Sequence, residues 1–365
     1  MGQKTNSFFN DLESLSKKCN INQEAILKWE TGLDYPTINQ AKNLAKAYKM
    51  PFATFYLSEP PTTEIKSYPD RRSLFHTKPI SCALWSKIAD LINCRKIALL
   101  LLNNNDLTHR PLPHFDKNEK LANIATLIRQ NLDISKSDKK SFSYFRSKIE
   151  KSGILVFQIH EIPVSEFTGL SLHYDTLPII AVNSGDSDNA KVFSLFHELS
   201  HLVRRESSLC LIDFNEFAIS EELECNRLSA EILMPSSEVV NILIEKFKMP
   251  FLEQINLNLP DDKFIDSYAK RFGVSSQAFL RKLYDLGCFT QTSYQQKNSD
   301  FSKRIANPQK NGHPNYPRKF LSEYGFLFTY VILSAYSNKS ITIGEASRYL
   351  GVKTTHIDSL CAGVL

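Results

Sequence analysis

The chain has 365 residues, 42% of them hydrophobic and 23% charged, with a formal net charge of +5. These values are typical of a globular protein with two or three domains, and they exclude disordered, collagen-like and fibrous classes. The mild positive charge permits contact with nucleic acid but does not demand it. The seven cysteines are scattered and form no C-x-x-C pair, which argues against a disulfide framework and against a cysteine zinc site.

Two kinds of segment that would direct a protein out of the cytoplasm or into a membrane are not predicted from this sequence. The first residues lack the apolar core of a signal peptide, and the longest apolar run, residues 97–102, is too short to span a bilayer. We therefore expect a cytoplasmic protein with no membrane partner.

The pattern of predicted elements divides the chain into five parts. Residues 1–60 read as short helices, one starting at Asn22 and stopping at Gly32, and the next opening at Pro36. Residues 61–150 form a helical connecting region that begins with a Pro- and Thr-rich linker at 59–64. The remaining parts are a mixed α and β domain at 151–290, a polar flexible linker at 291–318, and a C-terminal helical module at 319–365.

The domain at 151–290 changes from β to α along its length. Three short β-rich segments at 154–159, 167–172 and 177–182 predict a small sheet. Helices at about 190–204 and 220–233 follow, and then a helix pair lies around residues 272–275. The fold class is thus α+β, with all-α parts on both sides of this domain.

The strongest chemical signal is His197-Glu198-Leu199-Ser200-His201 on the first of these helices. Two histidines four residues apart face the same side of a helix, where one tetrahedral zinc ion can bind both. Glu198 can take a proton from the attacking water and pass it to the leaving amine. The alternative is an ordinary core or surface helix, but apolar residues surround the motif, and buried His and Glu side chains need a partner.

A catalytic zinc ion also needs a third protein ligand, often a carboxylate. The helix at 220–233 offers four candidates, Glu221, Glu222, Glu224 and Glu231. Helical phase places Glu224 and Glu231 on a solvated stripe with Arg227, and Glu222 on the buried face, so Glu222 is the predicted ligand.

Three further residues are weaker candidates. Asn226, one turn after Glu222, can orient a ligand, or its amide can simply bond a nearby carbonyl. His173 and Tyr174 can stabilise a tetrahedral oxyanion, although loop residues of these types are more often only solvated.

Several stretches together resemble the ImmA/IrrE family of bacterial and phage metallopeptidases, which cleave or relieve transcriptional repressors. The matching stretches are Trp29-Glu30-Thr31-Gly32, Tyr35-Pro36-Thr37, Pro51-Phe52-Ala53-Thr54-Phe55-Tyr56-Leu57, Ile180-Ala181-Val182-Asn183, Phe193 to Leu202, and Glu222-Leu223-Glu224-Cys225-Asn226 through Met234-Pro235.

The resemblance implies a zincin-like peptidase domain with an HExxH helix and a gluzincin-like third ligand. It implies Zn²⁺ on His197, His201 and Glu222, and Glu198 as the catalytic residue. It also implies that an edge strand, here residues 167–172, binds an extended substrate. The implied substrate is a protein, namely a partner repressor or antitoxin of the Xre family.

The segment at 1–60 resembles an Xre-type helix-turn-helix whose first helix is missing or shortened. Its nearly balanced charge up to Glu64 disfavours DNA as a partner, and the alternative is a helical bundle that serves packing or docks another Xre-type protein. Two other functions stay open: a non-catalytic zinc regulator that binds DNA or an Xre-type protein, and a toxin or defence component with an Xre-type antitoxin.

Overall fold

The computed structural model describes residues 16, 19–47, 52, 81–102, 115, 119–134, 141–205, 208–210, 219–248, 260–304 and 316–364. The chain forms two compact units, one that ends at Asn93 and one that begins at Cys94. The predicted linker at 59–64 lies outside the described residues. No helix in the described ranges combines the length and apolarity that a membrane crossing needs.

The first unit contains the two helices predicted after Asn22. Helix α1 (Gln23–Glu30) begins where the Asn22 side chain accepts a hydrogen bond of 3.1 Å from the Glu24 N–H. It is followed by Gly32 in the left-handed region and then by helix α2 (Ile38–Ala47). Cys19, Ile26 and Leu44 bury a small apolar core between these elements. Helix α3 (Cys82–Leu101) begins in this unit.

The second unit holds the remaining elements in chain order. They are α4 (Leu121–Asn131), α5 (Phe142–Glu150), β1 (Leu155–Ile159), β2 (Gly169–Leu172), β3 (Ile179–Asn183), α6 (Asp188–Val203), β4 (Ser208–Cys210), α7 (Ile219–Leu233), α8 (Ser236–Phe247), α9 (Asp262–Phe272), α10 (Ser276–Asp285), α11 (Gln291–Arg304), α12 (Tyr316–Tyr324), α13 (Phe326–Ser337), α14 (Ile343–Leu350) and α15 (Ile357–Val364). The predicted mixture of α and β elements is confirmed.

The four strands form one sheet in the order β1-β3-β2-β4. Strand β3 runs parallel to β1 and antiparallel to β2, and β4 pairs antiparallel with β2. Strands β1 to β3 are buried along their whole length, as expected for a sheet with both faces covered. The prediction that residues 167–172 form an edge strand is therefore wrong, because β3 and β4 flank β2 on both sides.

Helix α6 lies against this sheet and against α7, and the largest apolar core runs between them. Leu195, Phe196 and Leu199 of α6 have no exposed surface, and neither do Leu228 and Ile232 of α7. The two helices that carry the candidate ligands are thus held in register by the core of the domain.

The prediction of a flexible linker at 291–318 is wrong for its first half, which forms helix α11. Its sequence is polar because only one stripe faces the protein, where Phe301 is buried. Polar contacts fix the rest: Gln277 donates to Ser302 Oγ at 2.8 Å, and Lys297 pairs with Asp262 at 2.6 Å. Residues 305–315 lie outside the described ranges.

The C-terminal helices are joined to the domain through buried polar groups of α5 and β1. Arg146 donates to the carbonyls of Leu321 and Ser322 at 3.2 and 2.5 Å. Glu150 accepts the Phe326 N–H at 3.0 Å, which caps the start of α13. Gln158 donates to the Ser322 carbonyl at 2.7 Å. We call Arg146, Glu150 and Gln158 the anchoring side chains.

Candidate metal centre

Helix α6 begins at a capped N-terminus and runs entirely into the core. The Ser187 hydroxyl accepts a hydrogen bond of 3.3 Å from the Ala190 N–H. Ten side chains of this helix are buried, and His197, Glu198 and His201 are among them. Three ionisable groups in a helix interior need polar or metal partners.

Helix α7 brings Glu222 to the two histidines. Its Oε2 lies 3.0 Å from Nε2 of His197, and its Oε1 lies 3.5 Å from Nε2 of His201. The two Nε2 atoms are 3.2 Å apart. Ligands about 2.05 Å from a tetrahedral zinc ion are about 3.3 Å from one another, so these separations fit one ion at their centre.

Hydrogen bonding at the far side of the rings supports the same arrangement. Nδ1 of His197 lies 3.0 Å from Oδ1 of Asn226, an atom that can only accept, so Nδ1 carries the proton. A neutral His197 then turns the Nε2 lone pair toward the carboxylate of Glu222. Oε2 of Glu222 is buried and makes no hydrogen bond of good geometry. The lone pair on Nε2 of His197 and those of the Glu222 carboxylate repel each other. A cation bound between them accepts these lone pairs and removes the repulsion.

The electrostatics of Glu222 agree with a charged carboxylate. Burial opposes its ionisation, but imidazoles of His197 and His201 that carry a proton on Nε2 donate hydrogen bonds to it, outweigh burial and hold its pKa well below the usual range. Carboxylate and imidazole ligands bind a metal only when deprotonated. The group His197, His201 and Glu222 could therefore hold a metal ion.

Cys225 lies beside His201 and was not among the residues predicted from the sequence. Its Sγ lies 3.6 Å from Nδ1 of His201, and the thiol is buried. Helical spacing is the signal that could have found it, because Cys225 and Asn226 follow Glu222 by three and four residues. One face of α7 thus supplies the third candidate ligand and a neighbour for each histidine.

Glu198 directly follows His197 on α6, and its carboxylate contacts the sheet. Its Oε2 accepts a hydrogen bond of 2.7 Å from the Ser208 hydroxyl of β4. Its Oε1 lies against Gly169 of β2, where a Cβ atom would come within 2.6 Å of that oxygen. A larger residue at this position would force the Glu198 side chain to shift, so Gly169 allows the close contact between β2 and Glu198. Neither Ser208 nor Gly169 was identified from the sequence, because no local motif links them to the helix.

The other acidic residues of α7 have different partners. Glu224 pairs with Arg204 at 2.7 Å. The prediction that Glu231 is solvated is wrong: it is 9% exposed and pairs with the buried Lys282 and with Ser236 Oγ, the latter at 2.6 Å. Burial opposes ionisation of Glu231, yet these contacts lower its pKa. Helical phase correctly separated Glu231 from Glu222 but could not reveal Lys282, which lies on another helix.

His173 is not part of the described group formed by His197, His201 and Glu222. The Tyr174 ring packs under the guanidinium of Arg95, with 3.5 Å between the guanidinium carbon and the ring centre. An oxyanion role for these two residues stays a prediction.

Comparison with known proteins places a family match on this part of the chain. Residues 149–284 match the model of a peptidase family, M78, described as the IrrE N-terminal-like domain. The comparisons with curated proteins and with solved structures returned no match. The matched region contains α6, α7 and the sheet, and M78 is a metallopeptidase family. Residues 149–284 are therefore similar to the IrrE N-terminal-like domain, and this similarity supports a metallopeptidase-type function.

Proposed function

We propose that the chain is a zinc-dependent endopeptidase of the ImmA/IrrE type. The observation that carries the proposal is the convergence of His197, His201 and Glu222 within 4.8 Å, with Glu198 on the same helix as the histidines. Two imidazoles and one carboxylate are a set that catalytic zinc uses, with a fourth position left open. In this assignment the three residues hold the ion, and Asn226 fixes the ring of His197 with its proton on Nδ1.

The reaction needs one group that moves a proton, and we assign this role to Glu198. When bound, zinc acts as a Lewis acid that polarises the peptide carbonyl and acidifies water. The Glu198 carboxylate accepts a proton from the attacking water and delivers it to the nitrogen of the departing amine. A site that only stabilised the fold would have no need of Glu198 next to a ligand.

Substitution of Glu198 separates catalysis from metal binding. We expect Glu198→Gln to keep zinc, measured as metal per chain, and to lower peptide hydrolysis roughly a hundredfold or more. Glu222→Gln should lose zinc. Glu221→Gln is the matched control, because Glu221 lies next to Glu222 in the sequence but outside the candidate ligand group, and it should keep both properties. A zinc-loaded Glu198→Gln protein that cleaves as fast as wild type would refute the assignment.

The proposed substrate is a protein, an Xre-family repressor or antitoxin, whose cleavage relieves repression. The resemblance of the sequence supports this class, and the balanced charge of residues 1–64 disfavours DNA as the main partner. The test is incubation of the zinc-loaded chain with an Xre-type repressor encoded beside it. We expect defined fragments by mass spectrometry that are absent with Glu198→Gln. An intact repressor in both reactions would reject this substrate.

A further inference from the structure

We propose that β4 occupies the peptide-binding edge of β2 and keeps the site latent until an extended segment of the substrate replaces it. The proposal rests on the peptidase function proposed above. It starts from the sheet, in which the described part of β4 is Ser208–Cys210, opposite Gly169–Ser171. Glu198 contacts both Gly169 of β2 and Ser208 of β4, so a peptide that pairs with β2 in the place of β4 would pass the proposed catalytic group.

An extended peptide binds a sheet by adding a strand along a free edge. Both edges of β2 are already paired in the described structure, one with β3 and the other with β4. The β3 side is the buried centre of the sheet, where all five residues of β3 are buried. An incoming peptide can therefore pair with β2 only on the side that β4 now holds.

The side chain of Ser208 ties this strand to the proposed catalytic carboxylate. Its hydroxyl donates to Glu198 Oε2 at 2.7 Å and lies 3.0 Å from the hydroxyl of Ser171. Glu198 has no exposed surface, and its Oε1 is buried without a hydrogen-bond partner. In this arrangement the carboxylate contacts β2 and β4 and is closed off from bulk solvent.

The balance of interactions makes exchange of β4 for a peptide feasible. An unsatisfied buried carboxylate oxygen is unfavourable, and contact with water would relieve it. Among the described residues the ladder between β2 and β4 has three pairs, and Ser208 itself is half-buried. A substrate segment that pairs with all of β2 regains the hydrogen bonds that β4 gives up and can add further ones. The occupant is thus an extended, unfolded segment of the protein substrate, not a folded surface.

A reversible crosslink tests the proposal in the full chain. Ser171 and Ser208 are directly opposite, so Ser171→Cys/Ser208→Cys can form a disulfide that holds β4 on β2. The same protein after reduction is the matched open form, and Ser171→Cys alone controls for the native thiols. Ser208→Asp provides an opening variant without a crosslink, because a second carboxylate beside Glu198 repels it.

Two measurements give the outcome. In metal-free protein, hydrogen exchange at the amides of Gly169–Ser171 that face β4 should be at least about tenfold faster in the reduced than in the crosslinked form, with β3 unchanged. In zinc-loaded protein, a peptidyl hydroxamate should bind the reduced form at least about tenfold more tightly, because the crosslink keeps β4 on the edge of β2 that the peptide would occupy. Ser208→Asp should resemble the reduced form in both measurements.

The results distinguish this proposal from the proposed function. Equal exchange in the crosslinked and reduced forms would show that β4 does not open and would overturn the proposal without any metal. Faster exchange with equal hydroxamate affinity would also overturn it, and would make Ser208 only a positioning residue for Glu198. Failure of the wild-type chain to bind zinc would instead reject the peptidase function, while the exchange measurement would still decide whether β4 opens.

Discussion

The pH dependence of stability should change when Glu150 is replaced by glutamine. Burial raises the pKa of Glu150 to about 7, although Arg146 and the N–H of Phe326 oppose this shift. A carboxyl group whose pKa is higher in the folded state stabilises the fold while it is protonated. That contribution is complete below its unfolded pKa of about 4.5 and is lost as the pH rises through about 7.

The size of the effect follows from the difference between the two pKa values. A rise from 4.5 to about 7 corresponds to a loss of about 3 kcal/mol of stability between pH 4 and pH 8. Glu150→Gln keeps the shape of the protonated group and cannot ionise, so it lacks this loss. Wild type should therefore become less stable relative to Glu150→Gln as the pH rises, by about 3 kcal/mol in total.

Denaturant unfolding of both proteins at matched pH values between 4 and 8 measures this difference, because the titrations of all other groups cancel. Circular dichroism and hydrogen exchange in the second unit should agree before a free energy is assigned. Parallel stability curves would refute the reasoning. A wild type that gains relative stability with rising pH would show that the ion pair with Arg146, at 3.5 Å, outweighs burial.

Three further substitutions test other parts of the structure. Asn226→Ala should weaken zinc binding roughly 10- to 100-fold in a chelator competition, because the His197 ring loses its partner. Gly325→Ala should cost about 2–5 kcal/mol in thermal unfolding, since its Cβ would lie 2.1 Å from Glu150 Oε1, while Gly351→Ala, which has open space, should cost about 1–2 kcal/mol. Lys282→Met should cost about 3–5 kcal/mol, because it leaves Glu231 buried without its ion-pair partner.

Each of these expectations has an outcome that would contradict it. Unchanged zinc affinity in Asn226→Ala, with Asn226→Asp as the conservative control, would mean that the amide does not orient the ring. Equal losses for the two glycine substitutions would show that backbone conformation, not the contact with Glu150, sets the cost. A Lys282→Met protein as stable as wild type would mean that Glu231 becomes neutral or reaches water.

The sequence predicted those features that depend on the residue periodicity of a single helix or strand. The spacing of His197 and His201 and the phase of Glu222 depend on helical geometry alone, and the structure brings the three side chains together. The sheet was predicted from three β-rich segments, but β4 was not, because three residues carry no periodic signal. Pairing between distant segments decides which strand is an edge, and no single segment encodes it.

The same limit explains the errors outside the site. Helix α11 was predicted as a linker because its composition is polar, and its stability depends on partners such as Gln277 and Asp262 on other helices. Glu231 was placed on a solvated stripe because its ion-pair partner, Lys282, lies 51 residues away. Composition reports the average environment of a segment, whereas a single contact across the fold can reverse it.

The anchoring side chains recognise the C-terminal helices mainly through main-chain atoms. Arg146 binds the carbonyls of Leu321 and Ser322, and Glu150 binds the N–H of Phe326. The domain that carries these side chains thus recognises the backbone shape of a chain reversal and not the identity of the residues in it. The reversal can consequently change most of its side chains over evolution without losing its attachment, provided that Gly325 keeps the backbone in place. Variation should accumulate in the bound segment and not in the residues that hold it.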